Sequence, residues 1–191
     1  MILTFLCAFA GVPDTYRESY QAEADGEIRR ALTTLDTLPS DEKASYMHNL
    51  RRAWLLYLLG EHDASARAYD EASGVSPRAL EPRLGKLLPL LAAHRWIEAE
   101  RVASAILETS PDTTVARARR AWAYFNLGRY ADAEKDYRYV LTRYPSDLEM
   151  QAGIAWCRLK RGDRDGARKE IDAVLRVAPD HPAANAALAA L

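Results

Sequence analysis

The sequence predicts an all-α fold, an α-solenoid of helix–turn–helix units each about 34 residues long. Three observations carry this expectation. Pro77, Pro111, Pro145 and Pro179 follow one another at one constant interval. Gly26, Gly60, Gly128 and Gly162 fall on the same period, with His94 in the vacant place. Ala31, Ala99, Ala133 and Ala167 repeat it once more, with Ser65 substituting. Self-similarity at a fixed period of this size marks a repeat architecture. Five units begun at Val12 (12–45, 46–79, 80–113, 114–147 and 148–181) leave an apolar segment, 1–11, before them and a short stretch, 182–191, after them.

The units follow in order. The first is degenerate: Pro39 cuts its second helix short, and Ser40-Asp41-Glu42-Lys43 is expected to open a longer helix running to Leu59. Such irregularity suits a terminal, capping unit. In the third unit Gly85 and Pro89 both fall inside the first helix. Proline removes one backbone donor and clashes with the preceding turn, so a kink is expected there. The fourth unit is the clearest. Its first helix, Thr114 to Leu127, ends at Gly128, which can take the left-handed C-cap conformation without a Cβ clash. Its second begins near Tyr130, with Ala131, Ala133, Tyr137, Val140 and Leu141 at helical spacing. Ala133 is small because the two helices of the hairpin cross there. Pro145 stops the second helix, and Ser146-Asp147 offers cap oxygens to the next. Residues 182–191 read as a short capping helix for the last hairpin.

Composition bounds the function. The 191 residues suffice for a domain with a real core. Lys plus Arg is 26 and Asp plus Glu 27, a net charge of −1 that argues against a general nucleic-acid binder. The 49% hydrophobic and 28% charged residues describe a folded chain. The preference for Arg over Lys, with abundant Ala, suggests a GC-rich bacterial genome. Cys7 and Cys157 lack the partners of a zinc site or disulfide framework, and Cys157 reads as a small buried helix residue. No apolar run is long enough for a transmembrane helix.

Met1 to Gly11 is uncharged and almost wholly apolar, and Ala8-Phe9-Ala10 matches a small-x-small cleavage pattern. Three readings stay open: a clipped secretory signal, a tail docked on the protein's own groove, or a membrane-touching anchor. Together they favour a periplasmic or envelope location over a cytoplasmic one.

Leu127-Gly128-Arg129-Tyr130-Ala131-Asp132-Ala133 with Pro145 resembles the turn and closing proline of the tetratricopeptide repeat, whose period is the same. Gly162-Asp163 with Ala167, and Trp96 with Ala99, repeat the pattern, so the resemblance runs over about 12–181. It implies a right-handed α-solenoid whose first helices line a concave, ligand-contacting surface. One column of those helices holds Tyr20, Trp54, Leu88, Trp122 and Trp156. A turn later lie Tyr57, Leu91, Phe125 and Leu159, and a turn earlier Tyr16, Leu50, Leu84, Ala118 and Ala152. The resemblance makes these a tryptophan-rich groove for an amphipathic helix or apolar peptide. Packing of the same stripe into a core is the alternative. The Lys and Asn side chains with which some family members grip a C-terminal carboxylate are missing from these columns. A second stripe, Arg51, Arg52, Lys86, Arg119 and Arg120, reads as a basic patch that steers an acidic partner, or as ordinary solvent-facing charge.

Catalytic signatures are absent. His48, His62, His94 and His181 lie in different units, and no HExxH, Walker-type loop, nucleophile elbow or dinucleotide fingerprint occurs. Asp163-Arg164-Asp165-Gly166 lacks the later ligands of a calcium loop and reads as a polar inter-helix turn. No catalytic residue, metal or cofactor is expected. The expected function is a non-enzymatic scaffold or adaptor with a protein or peptide partner, in an envelope assembly or in the cytoplasm. A self-assembling homo-oligomer and an enzyme that uses the solenoid as a platform are the other readings.

Overall fold

A computed structural model describes residues 11–191. The readings attached to residues 1–10, signal, docked tail, anchor and the Cys7 thiol, lie outside the described residues. The fold is all-α, of the α-solenoid class, with no strand among the described residues. No helix there is long and apolar enough to cross a membrane. The described residues form two compact units, the first ending at Pro89 and the second running from Leu90 to Leu191.

The first unit contains α1 (Val12–Ala24), α2 (Ile28–Thr34) with a 3-10 turn (Leu35–Thr37), α3 (Ser40–Lys43), α4 (Tyr46–Leu58) and α5 (His62–Val75). The boundary between units falls inside α6 (Glu81–Ala92), which stays helical through a fully buried Pro89. The second unit continues with α7 (Trp96–Thr109), α8 (Thr114–Asn126), α9 (Tyr130–Leu141), α10 (Leu148–Lys160), α11 (Arg164–Val177) and α12 (Pro182–Ala189). Consecutive helices pack as hairpins: α1 on α2, α4 on α5, α8 on α9 and α10 on α11.

The hairpin turns follow from one backbone requirement. The helix before each turn closes with a residue at positive φ, 76° at both Gly60 and Gly128. The next amide reaches back to the carbonyl five residues earlier: Glu61 to Leu56 at 2.9 Å and Arg129 to Tyr124 at 2.8 Å. This is the Schellman closure, and glycine suits it because it has no Cβ. His94 makes the same closure at φ 58°, with Arg95 N–H on the Leu90 carbonyl at 2.8 Å. Its ring stacks on Trp96 at 4.9 Å. His94→Gly is expected to raise unfolding free energy by about 0.5–1 kcal/mol, by relieving the left-handed strain on a Cβ-bearing residue. Thermal denaturation checks it. A lowered midpoint would show that the stack on Trp96 outweighs the strain.

Where the hairpin helices cross, side chains are small and fully enclosed: Ala31, Ser65, Ala99, Ala133 and Ala167 are all at most 1% exposed. The Ser65 hydroxyl, which would otherwise be a buried orphan, donates to the Ala53 carbonyl of the facing helix at 2.7 Å. The core clusters follow the hairpins. Ala53, Leu56, Ala68 and Tyr69 form one in the first unit. Ala121, Tyr124, Ala133, Tyr137, Ile154 and Cys157 form one in the second.

One helix expectation is corrected. Ser40 to Leu59 is not a single helix: α3 stops after one turn at Lys43, and α4 starts afresh at Tyr46. Ser45 is the cause. Its side chain accepts the His48 amide at 3.1 Å as an N-cap and bonds Glu42 at 3.1 Å, while Glu42 also accepts from Tyr16 at 2.8 Å. Asp147 and Asp163 cap α10 and α11 in the same way. The turn at Asp163-Arg164-Asp165-Gly166 is therefore a helix start, its carboxylate held by the Gly166 amide at 2.9 Å.

Candidate binding groove

In the second unit two helix stripes face each other across a concavity of about 530 Å³. From α8 come Ala118, Trp122 and Phe125, and from α10 come Glu149, Gly153, Trp156 and Lys160. Both sets are spaced by three and four residues, so each lies on a single helix face. Met150 and Ala183 close the sides, and the buried ring of Tyr137 forms the floor. The volume lies in the range of sites that hold compact ligands or ligand side chains.

Trp122 is 46% exposed. Its ring lies parallel to Phe125 at 5.8 Å and meets Trp96 edge-on at 6.4 Å. These contacts hold the indole in place while leaving its other side to solvent. Trp156 is more deeply set. It packs against the cluster of Ala155, Ile171 and Ala187, and its N–H donates to the Ala183 carbonyl at 3.0 Å.

The floor depends on an absent side chain. A Cβ on Gly153 would stand 2.8 Å from the Tyr137 ring, closer than real Cβ contacts come. In the first unit, Gly85 stands in the same relation to Tyr69, where an added Cβ would overlap the ring. The two Tyr–Gly pairs share one offset along the chain and lie two full periods apart. That recurrence was the available signal, and it shows Gly85 to be a packing residue as well as a weak helix former.

The first unit has its own concavity, of about 420 Å³, whose lining includes Tyr20, Trp54, Leu50, Glu23 and Arg51. It differs in chemistry. Glu23 accepts from the Trp54 indole at 2.6 Å and pairs with Arg51, whose guanidinium lies 3.9 Å from the Tyr20 ring centroid. Burial alone would raise the Glu23 carboxyl, but hydrogen bonds from Trp54 and Arg51, with the Arg51 charge, hold it below the usual glutamate range. Here the aromatics serve a charged cluster. Tyr16, Tyr57, Leu88, Leu91 and Leu159 are partly buried and line neither concavity.

The basic stripe needs correction. Arg51 is 5% exposed and cannot steer a partner, since Glu23 and the Ser19 carbonyl enclose its charge. Lys86 pairs with Asp70 at 2.8 Å, Arg120 with Asp136 at 2.7 Å, and Arg52 with Glu71 at 3.1 Å. Arg119 is also engaged within the chain. Carboxylates of neighbouring second helices pair with Arg52, Lys86 and Arg120, and that of Glu23 in α1 with Arg51, pairings that column-by-column reading of the first helices could not see. Among the described residues no group of three or more His, Cys, Asp or Glu side chains could hold a metal ion.

The helical hairpins and their groove define a helical-repeat protein of the kind that carries binding surfaces. Two models of the tetratricopeptide repeat match residues 89–147 and 128–191, together more than half of the chain. The chain belongs to the tetratricopeptide-repeat family. It is 32% identical over 126 residues to the protein CTR9 homolog of Arabidopsis thaliana, and the match spans 12% of that protein's length. Among solved structures it is similar to MamA, residues 41 to the end, from Desulfovibrio magneticus RS-1. That likeness has a TM-score of 0.80 at 16% identity and covers 91% of this chain and 99% of that one. It is also similar to YrrB, described as a tetratricopeptide protein with an unusual peptide-binding site. The TM-score there is 0.75 at 14% identity, covering 94% and 93%. TTC0263 of Thermus thermophilus follows at 0.67 and 18%, covering 93% and 97%. At these identities the structural likeness is one of fold.

Proposed function

We propose that this protein is a non-catalytic interaction scaffold that takes an apolar peptide or amphipathic helix into the groove between α8 and α10. Scaffolding of protein–protein interactions is the general role of this fold. The peptide mode also has a fold-level precedent in the peptide-binding site for which YrrB is named. The observation that carries the reading is Trp122, half exposed and lining one largely apolar concavity together with Gly153 and Trp156. Aromatic side chains in such settings dominate binding energy.

The test separates binding from folding. A synthetic amphipathic helical peptide with leucines at i, i+3, i+4 and i+7 is titrated into the full chain while tryptophan fluorescence is followed. Trp122→Ala is expected to weaken binding about thirtyfold or more. It should cost less than about 1.5 kcal/mol of stability, the scale of the lost ring contacts. Ala118→Phe, which fills the recess, should weaken binding likewise. A stability loss of about 3–5 kcal/mol for Trp122→Ala would instead make the indole a core residue. Unchanged binding in Ala118→Phe would place the peptide elsewhere.

A further inference from the structure

The groove in the second unit has a charge polarity that its apolar walls conceal. Glu149, Gly153, Trp156 and Lys160 occupy one face of α10, with an acid at the first position and a base at the last. These ends stand about 16 Å apart along the helix axis, at roughly 1.5 Å per residue. Glu149 sits in the first turn of α10 with its side chain 72% exposed, and its carboxylate lies 3.3 Å from His181 Nε2. Lys160 closes the helix. Its ammonium lies 5.8 Å from the Trp156 ring centroid and pairs with no carboxylate among the described residues.

Between the two charges the walls offer little to a peptide backbone. The Trp156 N–H is committed to the Ala183 carbonyl, and apart from the Trp122 indole and the hydroxyl of the buried floor residue Tyr137 the side chains between the charges are Ala118, Phe125, Met150 and Ala183. An extended peptide laid there would leave its own N–H and C=O groups unpaired against apolar surface. A helix satisfies those groups internally and presents only side chains. Helices also favour acids in the first turn and bases in the last, in response to the macrodipole. The acidic end of an occupant is therefore its N-terminus, and Lys160 is where that end is held.

Resting on the function proposed above, we infer that the occupant is an amphipathic helix of about three turns, lying antiparallel to α10. An acidic residue in its first turn meets Lys160, a basic residue in its last turn meets Glu149, and one large apolar side chain enters the recess at Gly153 and Ala118. The two helix dipoles then also oppose each other favourably.

Two hydrocarbon-stapled peptides of equal helicity by circular dichroism test this on the full chain at low salt. They share one leucine face. One carries Glu in its first turn and Lys in its last, and the other carries the reverse. The first is expected to bind about tenfold more tightly, from two favourable against two unfavourable end contacts. Lys160→Glu should narrow the difference, and the Glu149→Lys, Lys160→Glu double variant should invert it. Equal binding of both peptides to the unaltered chain, or a preference that survives the double swap, would overturn the polarity while leaving the groove in place. Tighter binding of an unstapled, proline-interrupted version would overturn the helical occupant. Failure of every peptide to bind, or equal binding in Ala118→Phe, would remove the groove reading itself and this inference with it.

Discussion

Tyr137→Ala is expected to lower the unfolding free energy by about 3–5 kcal/mol, the cost of emptying a large aromatic site in a packed core. Tyr137 is 4% exposed and packs with Ala121, Tyr124, Ala133, Ile154 and Cys157, so its loss touches three helices at once. The backbone at Gly153 closes one side of the ring, and the neighbours of a removed ring relax only in part. Denaturant titration of the second unit's fluorescence measures the effect, with Tyr137→Phe as the control that keeps the ring. Cys157 supplies an independent readout. Burial first, and then the charge of Glu134, push its thiol up to about 12, so it should resist alkylation in the native chain. Mass spectrometry should find it labelled much faster in Tyr137→Ala. A loss below about 1 kcal/mol with Cys157 still protected would show that this ring is not a core element.

Glu23→Gln is the second large expectation. It removes the carboxylate that faces Arg51 and leaves a guanidinium with a 4% exposed side chain supported by Ser19 and the Tyr20 ring, with no anion beside it. Breaking one side of a buried ion pair costs about 3–5 kcal/mol, because the surviving charge stays desolvated. Adding Arg51→Met should recover most of that loss, since no buried charge then remains. The pH dependence follows from the same pair. The folded-state carboxyl of Glu23 lies below its ordinary value of 4.5. Its contribution is therefore fully present above that ordinary value and is lost as pH falls through the depressed one. Unfolding midpoints of the native chain should drop on acidification across this window, and those of Glu23→Gln, Arg51→Met should drop less. Parallel curves for both chains would mean that Glu23 does not carry the acid sensitivity.

Residues 85 and 153 show how far the repeat pattern reaches and where it stops. The period announced helices, turns and crossing points because each is a local requirement that recurs once per unit: a positive φ at the turn, a small side chain at the crossing, a proline after the hairpin. His94 obeys the turn requirement even without being glycine. What lies opposite a given side chain is another matter. Gly85 reads locally as a helix weakener, and only the ring of Tyr69 across from it explains the missing Cβ.

The sequence alone determined the all-α repeat fold, the helical hairpins and the columns from which a groove is built, since backbone geometry and hydrophobic period are written along the chain. Tertiary structure alone decided which members of those columns face a cavity. It buried Arg51 beside Glu23, tied Trp54 to the same carboxylate, and left Trp122 open to solvent. All three stand on first helices, two of them in one column, yet their surroundings are completed by residues of a neighbouring helix, distant along the chain. Exposure, pairing and charge state are properties of those surroundings, and no spacing rule within one helix contains them.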